Sequence, residues 1–199
     1  TILATFIAVN NEMGAIQPLE EISEVFEEYP NVHVMIDAVQ AVGKTDLPLG
    51  PDKRIDMEVF SGHKFHAPRG VGIVYLNEGK QVAPLLAGGG QEKGQRSSTE
   101  NLAGIVAISR ALRLLLEDTN ANRRHLSQLK AHLMEGLKSY EYIDVFSTDS
   151  GAPHIICFGI KGIRGEVTVH ALESRDVYVS TTSACSSRAR KDSSTLLAM

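Results

Sequence analysis

Three side chains in this sequence stand in settings where they could do covalent or electrostatic chemistry. Lys64 closes Ser61-Gly62-His63-Lys64, directly after the apolar run Met57 to Phe60. A lysine amine condenses with a carbonyl to give a Schiff base, which requires an amine rooted on a rigid element. Taken alone, a solvated turn lysine is the commoner identity. Asp37 lies between Val34-Met35-Ile36 and Ala38-Val39-Gln40. A carboxylate in apolar surroundings is costly unless it meets a cation, although an aspartate at a strand end also caps turns. Cys185 sits in Ser180 to Arg188, a small and polar segment that reads as a surface loop, with Arg188, Arg190 and Lys191 nearby to favour a thiolate. The plainer reading is an incidental exposed thiol, a chemical liability. Cys157, between Ile156 and Phe158, reads as a small buried hydrophobe within a strand.

One ligand would satisfy the first two residues together. Pyridoxal 5′-phosphate presents a carbonyl to a lysine and a protonated ring nitrogen to an aspartate. Gln40 and Asn11 could then bond its phenolate oxygen. Ser61 and His63 beside the lysine, and Thr99 in Arg96-Ser97-Ser98-Thr99, offer donors for its phosphate. No Walker sequence is present, since Gly90 and Gly94 lack the required spacing to Gly-Lys-Ser/Thr. His63 and His66 have no third ligand close by in sequence, so no metal site is expected.

The elements that must position these groups follow from apolar spacing. Leu3 to Val9 reads as a buried strand, Leu19 to Tyr29 as an amphipathic helix with glutamates on its other face, and Val32 to Ile36 as a strand that delivers Asp37. Met57 to Phe60 and Gly70 to Leu76 read as further strands. Strands and helices in alternation with short connections predict α/β layering, in which functional groups sit just beyond strand ends. Asn11, Asp37 and Lys64 all fall at such points. A polar loop from Gly88 to Glu100 precedes a helix over Leu102 to Leu115, then a second helix whose core is predicted as Leu126, Leu129, Leu133 and Leu137. Beyond it the pattern predicts strands at 143–146, 155–160 and 177–179 and a helix at 166–172. A domain boundary is placed at 118/119.

The 199 residues carry a net charge of -4 and 43% hydrophobic residues, enough for a real core and with no basic excess to attract nucleic acid. No apolar run approaches the roughly 20 residues of a membrane helix, and the apolar start lacks the basic flank of a secretory signal. Two cysteines without metal-type spacing suit a reducing cytoplasm. The chain opens inside a strand and closes on what looks like a beginning helix, so a piece of a longer protein is expected.

Read together, Val9-Asn10-Asn11-Glu12-Met13-Gly14, Asp37-Ala38-Val39-Gln40, Ser61-Gly62-His63-Lys64, Gly88-Gly89-Gly90-Gln91-Glu92, Arg96-Ser97-Ser98-Thr99 and Ser183-Ala184-Cys185-Ser186-Ser187 resemble the cysteine desulfurases, in the class V aminotransferase group of fold-type I pyridoxal-phosphate enzymes. The resemblance implies an α/β large domain over 1–118 with a mostly parallel sheet and helices on both faces, its N-terminal portion missing. Part of a smaller α+β domain over 119–199 would carry the nucleophile loop. It further implies Lys64 as the coenzyme's lysine, Asp37 on the pyridine nitrogen, and Gln40 and Asn11 on the phenolate oxygen. Ser61 and His63 would hold the phosphate, with His63 counted alongside Lys64 and Cys185 in the catalytic set. Thr99 would reach the phosphate of a neighbouring subunit, hence a homodimer. Cys185 would take sulfur from L-cysteine as a persulfide, release L-alanine, and pass the sulfur to an acceptor protein for iron-sulfur cluster assembly or tRNA thiolation. Without the ring-stacking histidine and the carboxylate-binding arginine that full-length members carry, these 199 residues alone are expected to be inactive. An aminotransferase, a selenocysteine lyase or a catalytically dead interaction module would share much of the pattern. One departure stands out: Ser98 occupies the place where the family commonly has glycine, with only a local effect expected.

Overall fold

The computed structural model describes residues 1–181 and 194–197. Cys185 and the cations after it lie outside the described residues. The chain divides into two compact units, one formed by Thr1–Ala8 with Gln17–Asn120 and the other by Val9–Ile16 with Ala121–Met199.

The first unit is built on a four-stranded sheet of order β1-β2-β3-β4, with β1 at Leu3–Ile7, β2 at His33–Asp37, β3 at Met57–Ser61 and β4 at Gly72–Leu76. The first three strands are parallel and β4 is antiparallel to β3. Val34 and Ile36 are completely buried at the sheet's centre, as the alternation predicts. Helix α1, Leu19–Glu27, makes the crossover from β1 to β2 and stacks Phe26 edge-on against Phe6 at 5.8 Å. Its buried positions are Leu19 and Ser23, while Val25 and Tyr29 of the predicted apolar stripe are exposed.

A polar hub ties the α1–β2 connection to the start of β3. Asp56, 2% exposed, accepts from the Val34 N–H at 2.8 Å, from Arg54 Nη1 at 2.8 and 2.9 Å, and pairs with Lys80 Nζ at 2.8 Å. Arg54 also donates to the carbonyls of Tyr29, Pro30 and Val32, and its backbone N–H reaches Ser23 Oγ at 2.9 Å. Burial alone would raise the Asp56 carboxyl, but the bonds from Lys80, Arg54 and Val34 outweigh it and hold the pKa near about 2.

Glu58 is the counter-example one step along β3. It is completely buried, in register between Ile36 of β2 and Tyr75 of β4, and neither carboxylate oxygen has a hydrogen-bond partner among the described residues. Burial pushes its carboxyl up to about 7.

Helix α2, Leu102–Glu117, begins at an Asn101 cap whose side chain accepts from the Gly104 N–H at 3.1 Å. Of its predicted apolar stripe only Ile108 is fully buried; Leu112 and Leu115 are half-buried, and Leu102, Ile105 and Val106 are exposed.

Most of helix α3, Thr119–Lys138, belongs to the second unit, with β5 at Ile143–Val145, β6 at Phe158–Ile160 and α4 at Gly165–Glu173. Strands β5 and β6 pair antiparallel. The buried side chains of α3 are Lys130 and Met134, flanked by half-buried Leu126 and Leu137, whereas the predicted Leu129 and Leu133 are exposed. Lys130 fits this face because its aliphatic stem packs while Nζ donates to the Ala152 carbonyl at 3.1 Å.

Two strand expectations need correction. The run 155–160 shortens to β6, leaving Cys157 half-buried outside the strand with its thiol pKa raised by burial and by Glu12. Residues 177–179 form no strand, because the Val177 N–H closes onto the Leu172 carbonyl at the end of α4 and the three side chains face solvent. The last described element is α5, Ser194–Leu197.

The two buried carboxylates act in opposite pH windows. Asp56 has a folded pKa below its unfolded value, so its contribution is fully present above about 4 and is lost as pH falls towards 2, about 2 kcal/mol in all. Glu58 has a folded pKa above its unfolded value, so stability is greatest below about 4 and declines as pH rises through 7, by about 3 kcal/mol. Thermal unfolding followed by circular dichroism from pH 3 to 9 should therefore show Glu58→Met more stable than the parent at pH 8 by about 2–3 kcal/mol, with the gain shrinking towards pH 4. A constant difference across the range would contradict the assignment. Asp56→Asn should destabilise by about 3–5 kcal/mol at neutral pH, because Arg54 and Lys80 lose the charge that compensates their burial.

Candidate active site

Parallel pairing of β2 with β3 sets Asp37 opposite Val59, so the end of β2 and the Ser61–Lys64 segment emerge from the same edge of adjacent strands about 5 Å apart. Each strand leads into a tight turn there. After β2, the Val39 N–H donates to Asp37 Oδ1 at 3.0 Å, and the Ala41 and Lys44 N–H groups donate to Ala38 and Ala41, each at 2.9 Å. Asp37 thus starts a turn with one carboxylate oxygen engaged locally. After β3, Gly62–Phe65 forms a 3-10 turn closed by Ala67 N–H to Gly62 O at 3.0 Å, with His66 in the left-handed region at φ 70°. Phe65 is buried beneath it, Lys64 is half-buried and His63 is exposed.

Helix α2 packs against both turns. A Cβ on Gly62 would come within 2.9 Å of Ile108 Cδ1 and 3.0 Å of the Val71 carbonyl, so only glycine lets the Lys64 turn lie this close. Gly43, in the turn after Asp37, has φ 71° and a Cβ there would meet Leu115 at 2.7 Å.

Among the described residues neither Lys64 nor Asp37 has an ion-pair partner. A half-buried ammonium and a half-buried carboxylate thus stand at neighbouring strand ends with no counter-charge among the described residues. Gln40, half-buried, belongs to the Asp37 turn, and Ser61, also half-buried, is the last residue of β3. The fold thus brings Asp37, Gln40, Ser61, His63 and Lys64 to one sheet edge.

Asn11 and Thr99 lie on other segments of the chain. Asn11 is exposed in the second unit, in a loop held by Asn10 Oδ1, which accepts from the Glu12 and Met13 N–H groups at 2.9 Å each. Thr99 is exposed on the loop before α2. That loop is organised around buried Ser97, whose N–H donates to the Leu86 carbonyl at 3.0 Å while its Oγ accepts from the Gly90 N–H at 3.4 Å.

Two features escaped the sequence reading. Lys44 donates from Nζ to the Lys64 carbonyl at 3.1 Å, a link between segments that no local pattern reveals. Ser98 has φ 93°, a conformation that favours glycine, so the serine noted at this position carries backbone strain. The signal for Ser98 was legible, but the strain lies in a backbone angle that residue type alone does not disclose. Ser98→Gly should raise stability by about 1 kcal/mol, read as an increase in thermal midpoint. An unchanged or lowered midpoint would mean that the serine side chain offsets the strain.

Comparison with known proteins agrees with this architecture. The class V aminotransferase family model matches residues 1–197. A NifS/IcsS protein homolog from Lactobacillus delbrueckii subsp. bulgaricus is 49% identical over 201 residues, covering 100% of this chain and 52% of that protein. A cysteine desulfurase IscS from Clostridium botulinum is 36% identical over 203 residues, covering 100% of this chain and 51% of that protein. Among solved structures, a NifS-like protein superposes with TM-score 0.84 at 36% identity over 91% of this chain and 50% of its own. A NifS-like protein from Rickettsia africae gives 0.83 at 27% identity, again over 91% and 50%. The chain therefore spans about half the length of the relatives it matches, its fold is the α/β architecture of the fold-type I pyridoxal-phosphate enzymes, and it belongs to the class V aminotransferase family.

Proposed function

We propose that the protein containing this chain is a pyridoxal-phosphate-dependent cysteine desulfurase that moves sulfur from L-cysteine to Cys185 and releases L-alanine. The observation that carries the reading is that parallel pairing brings the Asp37 and Lys64 turns to adjacent strand ends, with no ion-pair partner for either residue among the described residues. A ligand offering a carbonyl to one and a cationic ring nitrogen to the other fits that donor set, and pyridoxal phosphate is such a ligand. The names of the relatives, NifS/IcsS homolog and cysteine desulfurase IscS, support the same activity.

When bound, the coenzyme supplies an electron sink for the substrate's reacting carbon. The chain's own residues would do the rest. Lys64 would hold the coenzyme through its amine and, once displaced by the substrate amine, carry a proton on Nζ. Asp37 would keep the ring nitrogen protonated. Gln40 and Asn11 would bond the phenolate oxygen, and Ser61 and His63 the phosphate. Thr99 would contact the phosphate of a second subunit, making the working unit a homodimer. The Cys185 thiolate would attack the substrate sulfur. An S–S bond forms as the substrate's C–S bond breaks, the electron pair passes to the carbon skeleton, and protonation there yields L-alanine. The persulfide would then go to an acceptor protein, for iron-sulfur cluster assembly or tRNA thiolation, in the cytoplasm. The two units would correspond to the large coenzyme-binding domain, near 1–118, and part of the small domain that carries the nucleophile, near 119–199.

In the whole protein, Lys64→Ala should abolish the visible absorbance of a lysine-bound coenzyme and lower sulfide release from L-cysteine by at least about a hundredfold. Cys185→Ser should leave that absorbance intact and lower sulfide release as strongly. Sulfide release at the parental rate in Cys185→Ser would sink the desulfurase reading and favour an aminotransferase or a selenocysteine lyase.

A further inference from the structure

Lys44 takes no part in the chemistry just described, yet its side chain bonds across the two turns that bear Asp37 and Lys64. It ends the turn that begins at Asp37, its own N–H donating to the Ala41 carbonyl at 2.9 Å. Its Nζ crosses to the other turn and donates to the Lys64 main-chain oxygen at 3.1 Å. Both turns are backed by α2, through Leu115 under Gly43 and Ile108 under Gly62. A buried or half-buried lysine head normally seeks a carboxylate; this one is spent on a carbonyl. Its pKa is lowered, first by burial and then by the charge of Lys64, which places the two amines within electrostatic reach. Such a placement has an electrostatic cost that a purely structural contact could avoid with a neutral residue.

Resting on the coenzyme-binding reading above, we propose that Lys44 is a positioning residue, a strut between the Asp37 turn and the Lys64 turn that holds the backbone of Lys64 so that its amine meets the coenzyme's aldehyde. Lys44 does not touch the reacting atoms. It fixes the root of Lys64 and, through it, the spacing between the amine and the carboxylate that would grip opposite ends of one ring. Small errors in such spacing are costly, because reactive groups must be held to within a fraction of an ångström.

The test uses the whole protein stripped of coenzyme, titrated with pyridoxal 5′-phosphate, reduced with borohydride and mapped by peptide mass. Induced circular dichroism of the bound chromophore reports how firmly the ring is oriented. Lys44→Met and Lys44→Gln should keep the far-ultraviolet spectrum, weaken capture on Lys64 about tenfold, and reduce the induced signal, with label spreading to exposed lysines such as Lys93. Lys44→Arg, which keeps a cationic donor, should restore most of both. Parental capture and induced signal in Lys44→Met or Lys44→Gln would overturn the proposal. Loss of the fold in both variants would overturn it too, since Lys44 would then be a general stability element. Failure of the parent protein to take label on Lys64 would instead remove the site reading itself, and this inference with it.

Discussion

Parallel pairing of the first three strands is the constraint on which the site depends. Parallel neighbours end on the same side of a sheet, so whatever follows one strand lies beside whatever follows the next. Here the register Ile7 to Asp37 to Val59 aligns the strand ends and delivers the Asp37 turn and the Lys64 turn to a common edge. A slip of one residue would send Val34 and Ile36, both fully buried, to the opposite face. The hydrophobic pattern thus locks the register, and the register places the chemistry.

Seating the turns is a separate problem, and α2 solves it with two glycines. Gly62 and Gly43 leave room for Ile108 and Leu115, so the helix presses directly on both backbones. Close packing against backbone leaves little freedom for local motion. Lys44 then joins the two turns to each other. The arrangement gives a half-buried amine and a half-buried carboxylate fixed roots while leaving both heads without protein counter-charges among the described residues.

Two carboxylates on β3 and its approach show how differently the same chemistry can be buried. Asp56 is surrounded by donors and joins three segments. Glu58 has none among the described residues. The first stabilises in its ionised form; the second is carried at an electrostatic cost that a buried apolar residue would not incur.

The strands and helices of the first unit were legible in the sequence because each is announced by a local apolar period, and Asp37, Ser61 and Lys64 were legible because they end such runs. The failures share a cause. Leu129 and Leu133 look like core on α3, yet the buried face runs through Lys130 and Met134, since which side of a helix is covered depends on what packs against it. Residues 177–179 have strand-like composition, but a strand needs a partner edge and their amide is taken by Leu172. The link from Lys44 to Lys64, the isolation of Glu58 and the positive φ of Ser98 are likewise invisible in residue order. Composition and spacing determine which side chains are available and which short segments form, because those preferences act over a few neighbouring residues. Pairing, burial and backbone angle at a given position are settled by contacts between segments distant in the chain, and these exist only once the tertiary structure has formed.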